Sequence, residues 1–152
     1  MPTLEWTLDL AVSQQQLWDF HADPARALPR LTPPGFAVKL VHIDDPYEKG
    51  AQLEMRTRVF PLVWQRWVAR IVEFDAPHGF VDIAERSPFA SWRHEHIFEA
   101  RGPNQSRLID RVTYTAPFGP LGRMVDPFMI RPRLQKMFLH RHRVTAEDLE
   151  KS

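Results

Sequence analysis

Residues 89–116 read FASWRHEHIFEARGPNQSRLIDRVTYTA, two alternating runs joined at Gly102-Pro103-Asn104. In the first run Trp92, His94, His96 and Phe98 fall on one face, because successive side chains of a strand point to opposite sides. In the second, Leu108, Asp110, Val112 and Tyr114 share the matching face. A three-residue hairpin loop sets Phe98 opposite Leu108 and His96 opposite Asp110. Asp110 is then placed to orient His96 and hold a proton on it, since a neighbouring carboxylate favours imidazolium.

Upstream of this hairpin the chain carries further strands. Leu4, Trp6, Leu8 and Leu10 alternate with Glu5, Thr7 and Asp9, as in a half-buried strand. Ser13 with Gln16 forms a capping-box signature for a short helix containing Leu17, Trp18 and Phe20. Asp23-Pro24 opens a second short helix, which stops at Leu31-Thr32-Pro33-Pro34-Gly35. Strands follow at Phe36–Ile43, Leu53–Val59, Val63–Phe74 and Phe80–Glu85. Hairpin-length turns rich in Asp, Pro and Gly separate them, so the pairing is antiparallel.

Downstream the period changes. Leu121, Met124, Val125, Phe128, Leu134, Met137, Phe138 and Leu149 fall largely on one helical stripe. Pro127 and Pro132 interrupt it, so a kink or break between them is expected. The reading is one α+β domain spanning residues 1–152, in the order strand, two short helices, six further antiparallel strands and a long C-terminal helix.

Composition narrows the function classes. The chain has no cysteine, which excludes a disulfide framework, a thiol nucleophile and a cysteine-based zinc site. A formal charge of +1 gives no global reason to seek nucleic acid or an anionic membrane. No stretch approaches the ~18 apolar residues of a membrane span, and no signal peptide is visible, so a soluble cytoplasmic protein without membrane insertion is expected. Nucleophile-elbow, phosphate-loop, HExxH and calcium-loop motifs are all missing. The basic tail residues Arg131, Arg133, Lys136, His140, Arg141, His142 and Arg143 are read as a solvated face, with Arg141 a candidate partner for a sheet carboxylate.

The order of elements resembles the helix-grip fold of the steroidogenic-acute-regulatory-related (START-like, SRPBCC) domains, the polyketide cyclases and the birch-pollen-allergen proteins. The residues that carry the resemblance are Trp18-x-Phe20, Leu31-Thr32-Pro33-Pro34, Gly79-Phe80-Val81-Asp82 and Ser87-Pro88-Phe89. They continue through the Trp92–Phe98 face, Asp110-Arg111-Val112-x-Tyr114, Pro117-Phe118-Gly119-Pro120-Leu121-Gly122 and Phe138-x-x-Arg141-His142-Arg143. Within that fold the chain resembles a bacterial ligand-binding subgroup related to the polyketide cyclase/dehydrase proteins. The resemblance implies a curved sheet of about seven antiparallel strands wrapped around the long C-terminal helix, with a cavity between them for a small hydrophobic or amphipathic ligand; no cofactor is expected.

The candidate ligand-binding residues are Met55, Val59, Trp67, Phe80, Trp92, His94, His96, Asp110, Tyr114 and Phe128, with Ile71 a further candidate wall. Met124, Met129 and Met137 would add adaptable packing. Three readings of the His94–His96–Asp110 cluster stay open at this point. It is a self-satisfied polar network, a polar anchor for a ligand, or an acid–base or metal site, with His42 and Asp82 as conceivable additions. The functional alternatives are a cyclase, dehydratase or isomerase using His94, His96 and Asp110 with Tyr114 as proton donor, and a protein-interaction module.

Overall fold

The computed structural model describes residues 1–58 and 63–151. Strand β1 (Thr3–Leu10) is followed by helices α1 (Gln14–His21) and α2 (Pro24–Leu31). Six strands come next: β2 (Ala37–Ile43), β3 (Gln52–Arg58), β4 (Gln65–Asp75), β5 (Gly79–Arg86), β6 (Ser91–Gly102) and β7 (Gln105–Thr115). The chain then forms α3 (Gly119–Val125), a π-helical turn (Asp126–Ile130) and α4 (Arg131–Glu150). Among the described residues, seven strands join one sheet in the order β1-β7-β6-β5-β4-β3-β2, each pair antiparallel.

Local chemistry sets the element ends. Ser13 caps α1 reciprocally with Gln16, as the sequence implies. Asp23 departs from expectation: its side chain makes no cap bond, and its backbone carbonyl accepts from Ala27 at 2.9 Å. Bulges at β2–β3 (between Leu40 and His42) and at two places along β4–β5 bend the sheet into a trough. Gly79 permits a close strand approach. A Cβ there would land on the His96 backbone carbonyl, so only glycine fits where β5 starts beside β6.

Helix α4 lies in the trough, burying Leu134 and Phe138 against the sheet. Phe138 stacks on Trp6 with ring centroids 4.3 Å apart. Arg30 of α2 clamps Asp148 of α4 through two hydrogen bonds, 2.6 and 3.0 Å. A second core, around Leu17, Trp18, Ile71, Phe80, Phe98 and Leu108, lies beneath α1. Among the described residues no helix is long and apolar enough to cross a membrane.

The expected break in the tail is a π-helical turn. Pro127 and Pro132 both lack the N–H that an α-helix would use, and the chain widens by one residue between them. An inserted residue rotates the turns before it by about 100° relative to α4. That rotation overturns the single-stripe expectation. Leu134 and Phe138 face the core, whereas Leu121, Met124 and Phe128 face solvent.

Candidate functional site

A cavity of about 130 Å³ lies between the sheet, α2 and α4. Its apolar walls include Phe36, Leu53, Met55, Trp67 and Trp92 from the sheet side and Leu28, Leu134 and Met137 from the helices. Polar groups reach it from His21, Thr57, Asp82, His94, His96, Asp110 and Arg141, among others. Most of these gather where β5, β6, β7 and α4 converge.

Strand register builds this cluster. β6 and β7 pair with His96 opposite Asp110 and Phe98 opposite Leu108, while β5 and β6 place Asp82 opposite His94 and Phe80 opposite His96. The side chains then bond diagonally. Asp110 accepts from His94 Nε2 at 2.7 Å and from His142 Nε2 at 2.8 Å, and Asp82 accepts from His96 Nε2 at 2.7 Å. The expectation that Asp110 orients His96 is therefore corrected. His96 Nδ1 comes only within 3.8 Å of Asp110, because Asp110 is already taken by His94 on its own sheet and by His142 of α4.

A carboxylate oxygen can only accept, so each Nε2 carries the proton and, in a neutral ring, Nδ1 is left as an acceptor. The rings of His94 and His96 stack at 3.6 Å, and Phe80 stacks on the other face of His96 at 4.0 Å. Burial, with the neighbouring His94, holds the His96 imidazole below its ordinary range despite the bond to Asp82. Burial raises Asp110, but the hydrogen bonds from His142 and His94 outweigh it and hold the carboxyl well below the usual carboxylate range. Asp82 is lowered in the same way by His96, against burial.

Among the described residues, two buried polar atoms of the lining lack partners, Arg141 Nε and Thr57 Oγ1. The Arg141 guanidinium lies 5.2 Å from the Phe138 ring. Burial lowers its affinity for its proton, and Asp110 and Asp82 oppose that only from a distance. His21 Nδ1 donates to the Leu17 carbonyl at 3.0 Å, and burial pushes this imidazole down to about 4, so it is neutral at physiological pH.

Of the sequence candidates, Met55, Trp67, Phe80, Trp92, His94, His96 and Asp110 line the cavity. Tyr114 does not: it is fully buried and donates its hydroxyl to Asp126 at 2.6 Å, and burial pushes it up to about 12. Phe128 is turned outward by the π turn, as are Met124 and Met129, and Ile71 belongs to the second core. Val59 lies outside the described residues. His42 pairs with Asp44 on the surface and takes no part in the cluster.

The sequence reading leaves Arg141, His142, His21 and Thr57 out of the site. The first two have a signal in the spacing Leu134, Phe138, Arg141/His142, Thr145, which marks the inner face of α4. Donor atoms of Asp82, His94 and His96 lie within 4.8 Å of one another, a spacing that an ion could bridge. Both imidazoles already engage Nε2 with carboxylates, and Arg141 adds positive charge beside them.

The architecture is that of known proteins. TTHA0849 from Thermus thermophilus superposes with a TM-score of 0.74 over 99% of this chain and 98% of its own, at 13% identity. Norcoclaurine synthase from Thalictrum flavum, in a point mutant bound to a transition-state analogue, gives 0.67 over 99% and 96%, at 17% identity. This is the helix-grip, SRPBCC-like fold. The di-domain aromatase/cyclase (ARO/CYC) BexL of the BE-7585A biosynthetic pathway gives 0.71 over 99% of this chain and 47% of its own, at 17% identity. No family model matches the chain, and no curated protein matches it by sequence. The structures that share the fold include a synthase and an aromatase/cyclase, and at these identities the likeness is one of fold.

Proposed function

We propose that this helix-grip protein binds a small apolar molecule bearing one anionic group, with the anion held by Arg141. The observation that carries the reading is Arg141 Nε, buried in a largely apolar cavity with no hydrogen-bond partner. A buried donor without a partner is unfavourable, by roughly 1–3 kcal/mol. The two nearby carboxylates do not relieve it, because histidines hold them. A ligand carboxylate or phenolate supplies the missing acceptor, and the guanidinium fork suits a carboxylate bidentately.

Size restricts the apolar part. A cavity of about 130 Å³ is close to the ~150 Å³ that accommodates benzene in an engineered core. One aromatic ring or a short aliphatic chain fits, lying against Met55, Trp67 and Met137, where methionine adapts to shape. Thr57 Oγ1 offers one further hydrogen bond. The test is a titration of aryl carboxylates of increasing length, each against its amide, followed by the fluorescence of Trp67 and Trp92. The carboxylates should bind and the amides bind at least ~10-fold more weakly, a difference that Arg141→Met removes. Equal binding of acid and amide by the wild type would contradict the anionic class.

A second reading has one observation in its favour. Neutral His96, fixed by Asp82 and clamped between Phe80 and His94, presents Nδ1 as a proton acceptor. An isomerase or cyclase would use it as general base on a bound substrate. Tyr114 is not placed to serve as its acid, being bonded to Asp126. Turnover that collapses in His96→Gln while ligand affinity persists would support catalysis; turnover that is unaffected would remove His96 from it.

A further inference from the structure

The segment from Phe118 to Met129 is built inside out. Phe118, Leu121, Met124, Phe128 and Met129 are 83, 63, 71, 81 and 59% exposed, while the buried positions of the same turns are Gly122, Asp126 and Ile130. A helix packed for the sake of the core alone does the opposite. Gly122 is small because a Cβ there would strike the Pro117 carbonyl, and Asp126 is occupied by the Tyr114 hydroxyl. The large apolar side chains of this segment therefore contribute little to the fold.

Phe118 adds a second, independent anomaly. It holds φ +66°, a left-handed conformation that favours glycine, yet it is an aromatic ring turned almost wholly to solvent. Neither backbone preference nor packing accounts for a phenylalanine there.

Charge identifies the partner. Residues 117–140 contain four Arg or Lys and one acid, Asp126, which is buried. The whole chain carries a net charge of only +1, so the positive charge is concentrated here. Arg123 is exposed within the apolar segment, Lys136 is exposed near the start of α4, and Arg133 reaches over the ring of Phe36, 4.5 Å away, just before β2. The neighbouring sheet end repeats the chemistry: Trp64 is partly exposed, with Lys39 and Arg58 against its ring. A second copy would set one cationic face against another, which is repulsive.

We propose that this face docks on an anionic lipid bilayer. Phe118, Leu121, Met124 and Phe128 enter the interface while Arg123 and Lys136 extend to lipid phosphates. The docking is interfacial, without a membrane span. The stripe runs directly into α4, whose Leu134 and Met137 line the cavity, so the docked segment is continuous with one cavity wall.

Vesicle flotation of the full chain tests this. Vesicles of phosphatidylcholine with phosphatidylglycerol should carry the protein up the gradient, and vesicles of phosphatidylcholine alone should not. Raising salt should weaken the association. The triple variant Leu121→Gln/Met124→Gln/Phe128→Ser, whose sites are exposed and so compatible with folding, should lose at least ~10-fold in vesicle affinity. Phe118→Gly should also bind vesicles more weakly while raising the melting temperature, an outcome that a purely structural role could not give. No flotation with either lipid, equal flotation with both, or undiminished flotation of the triple variant overturns the proposal. So does a concentration-dependent dimer in light scattering that the triple variant abolishes, since that assigns the face to a second copy.

Discussion

Asp110 ties three elements together at one carboxylate: its own β7, β6 through His94, and α4 through His142. Asp110→Ala removes both bonds and leaves two buried imidazole donors unsatisfied. The expected loss is about 3 kcal/mol, measurable by urea denaturation. Acid should act on the same cluster. Asp110 and Asp82 titrate below their ordinary values when folded, so the stability they confer is present above about pH 4 and lost as pH falls through their folded values. His21 and His96 are also depressed, His21 from 6.5 to about 4, so below pH 6.5 the unfolded chain takes up protons that the folded chain refuses. Both effects have the same sign. Stability should fall steadily from pH 6.5 to 4, with His21 alone accounting for roughly 3 kcal/mol. A melting curve series on His21→Leu should be visibly flatter over that window; an equally steep one would show that His21 is not the source.

At the scale of elements, Gly79 and the π turn do most to position the site. Gly79→Ala pushes β5 away from the His96 carbonyl, and with it Phe80 and Asp82, which hold the His96 ring. The variant should lose more than ~2 kcal/mol and disorder His96, read from its ring proton resonances. Much at this scale is legible in the sequence. Ser13 and Gln16 spell out a cap, and the expected β6–β7 register holds at His96–Asp110 and Phe98–Leu108. The three-residue loop is in fact a two-residue turn, Pro103-Asn104, with a compensating register shift between Ala100 and Gly102. The π turn is not legible as such. Two prolines announce a break, but not whether the helix resumes in phase, and one extra residue turns Phe128, an expected cavity wall, to the surface together with Leu121 and Met124 of the same expected stripe. The diagonal bonds are hidden for a related reason. Register says which residues are opposite, not which rotamer reaches which neighbour, so Asp82–His96 and His94–Asp110 emerge only in three dimensions.

Over the whole molecule, the parts form one arrangement: a curved sheet, a helix lying in it, and between them an apolar space into which an arginine brings an unpartnered Nε–H. The fold is readable in the sequence because it rests on periodicity, which is local. The site is readable in part, on the sheet side, while its α4 side depends on how a helix is rotated in its groove. Arg141, the group on which the functional reading turns, is in sequence only a candidate partner for a sheet carboxylate, and no carboxylate lies within bonding distance of its Nε. The most direct measurement of the central claim is therefore the nuclear magnetic resonance signal of the Arg141 Nε–H, assigned by its loss in Arg141→Met. On titration with phenylacetate it should move downfield and exchange more slowly with water as the missing hydrogen bond forms, and phenylacetamide should leave it in place. A signal that stays fixed while phenylacetate saturates the protein would contradict the account.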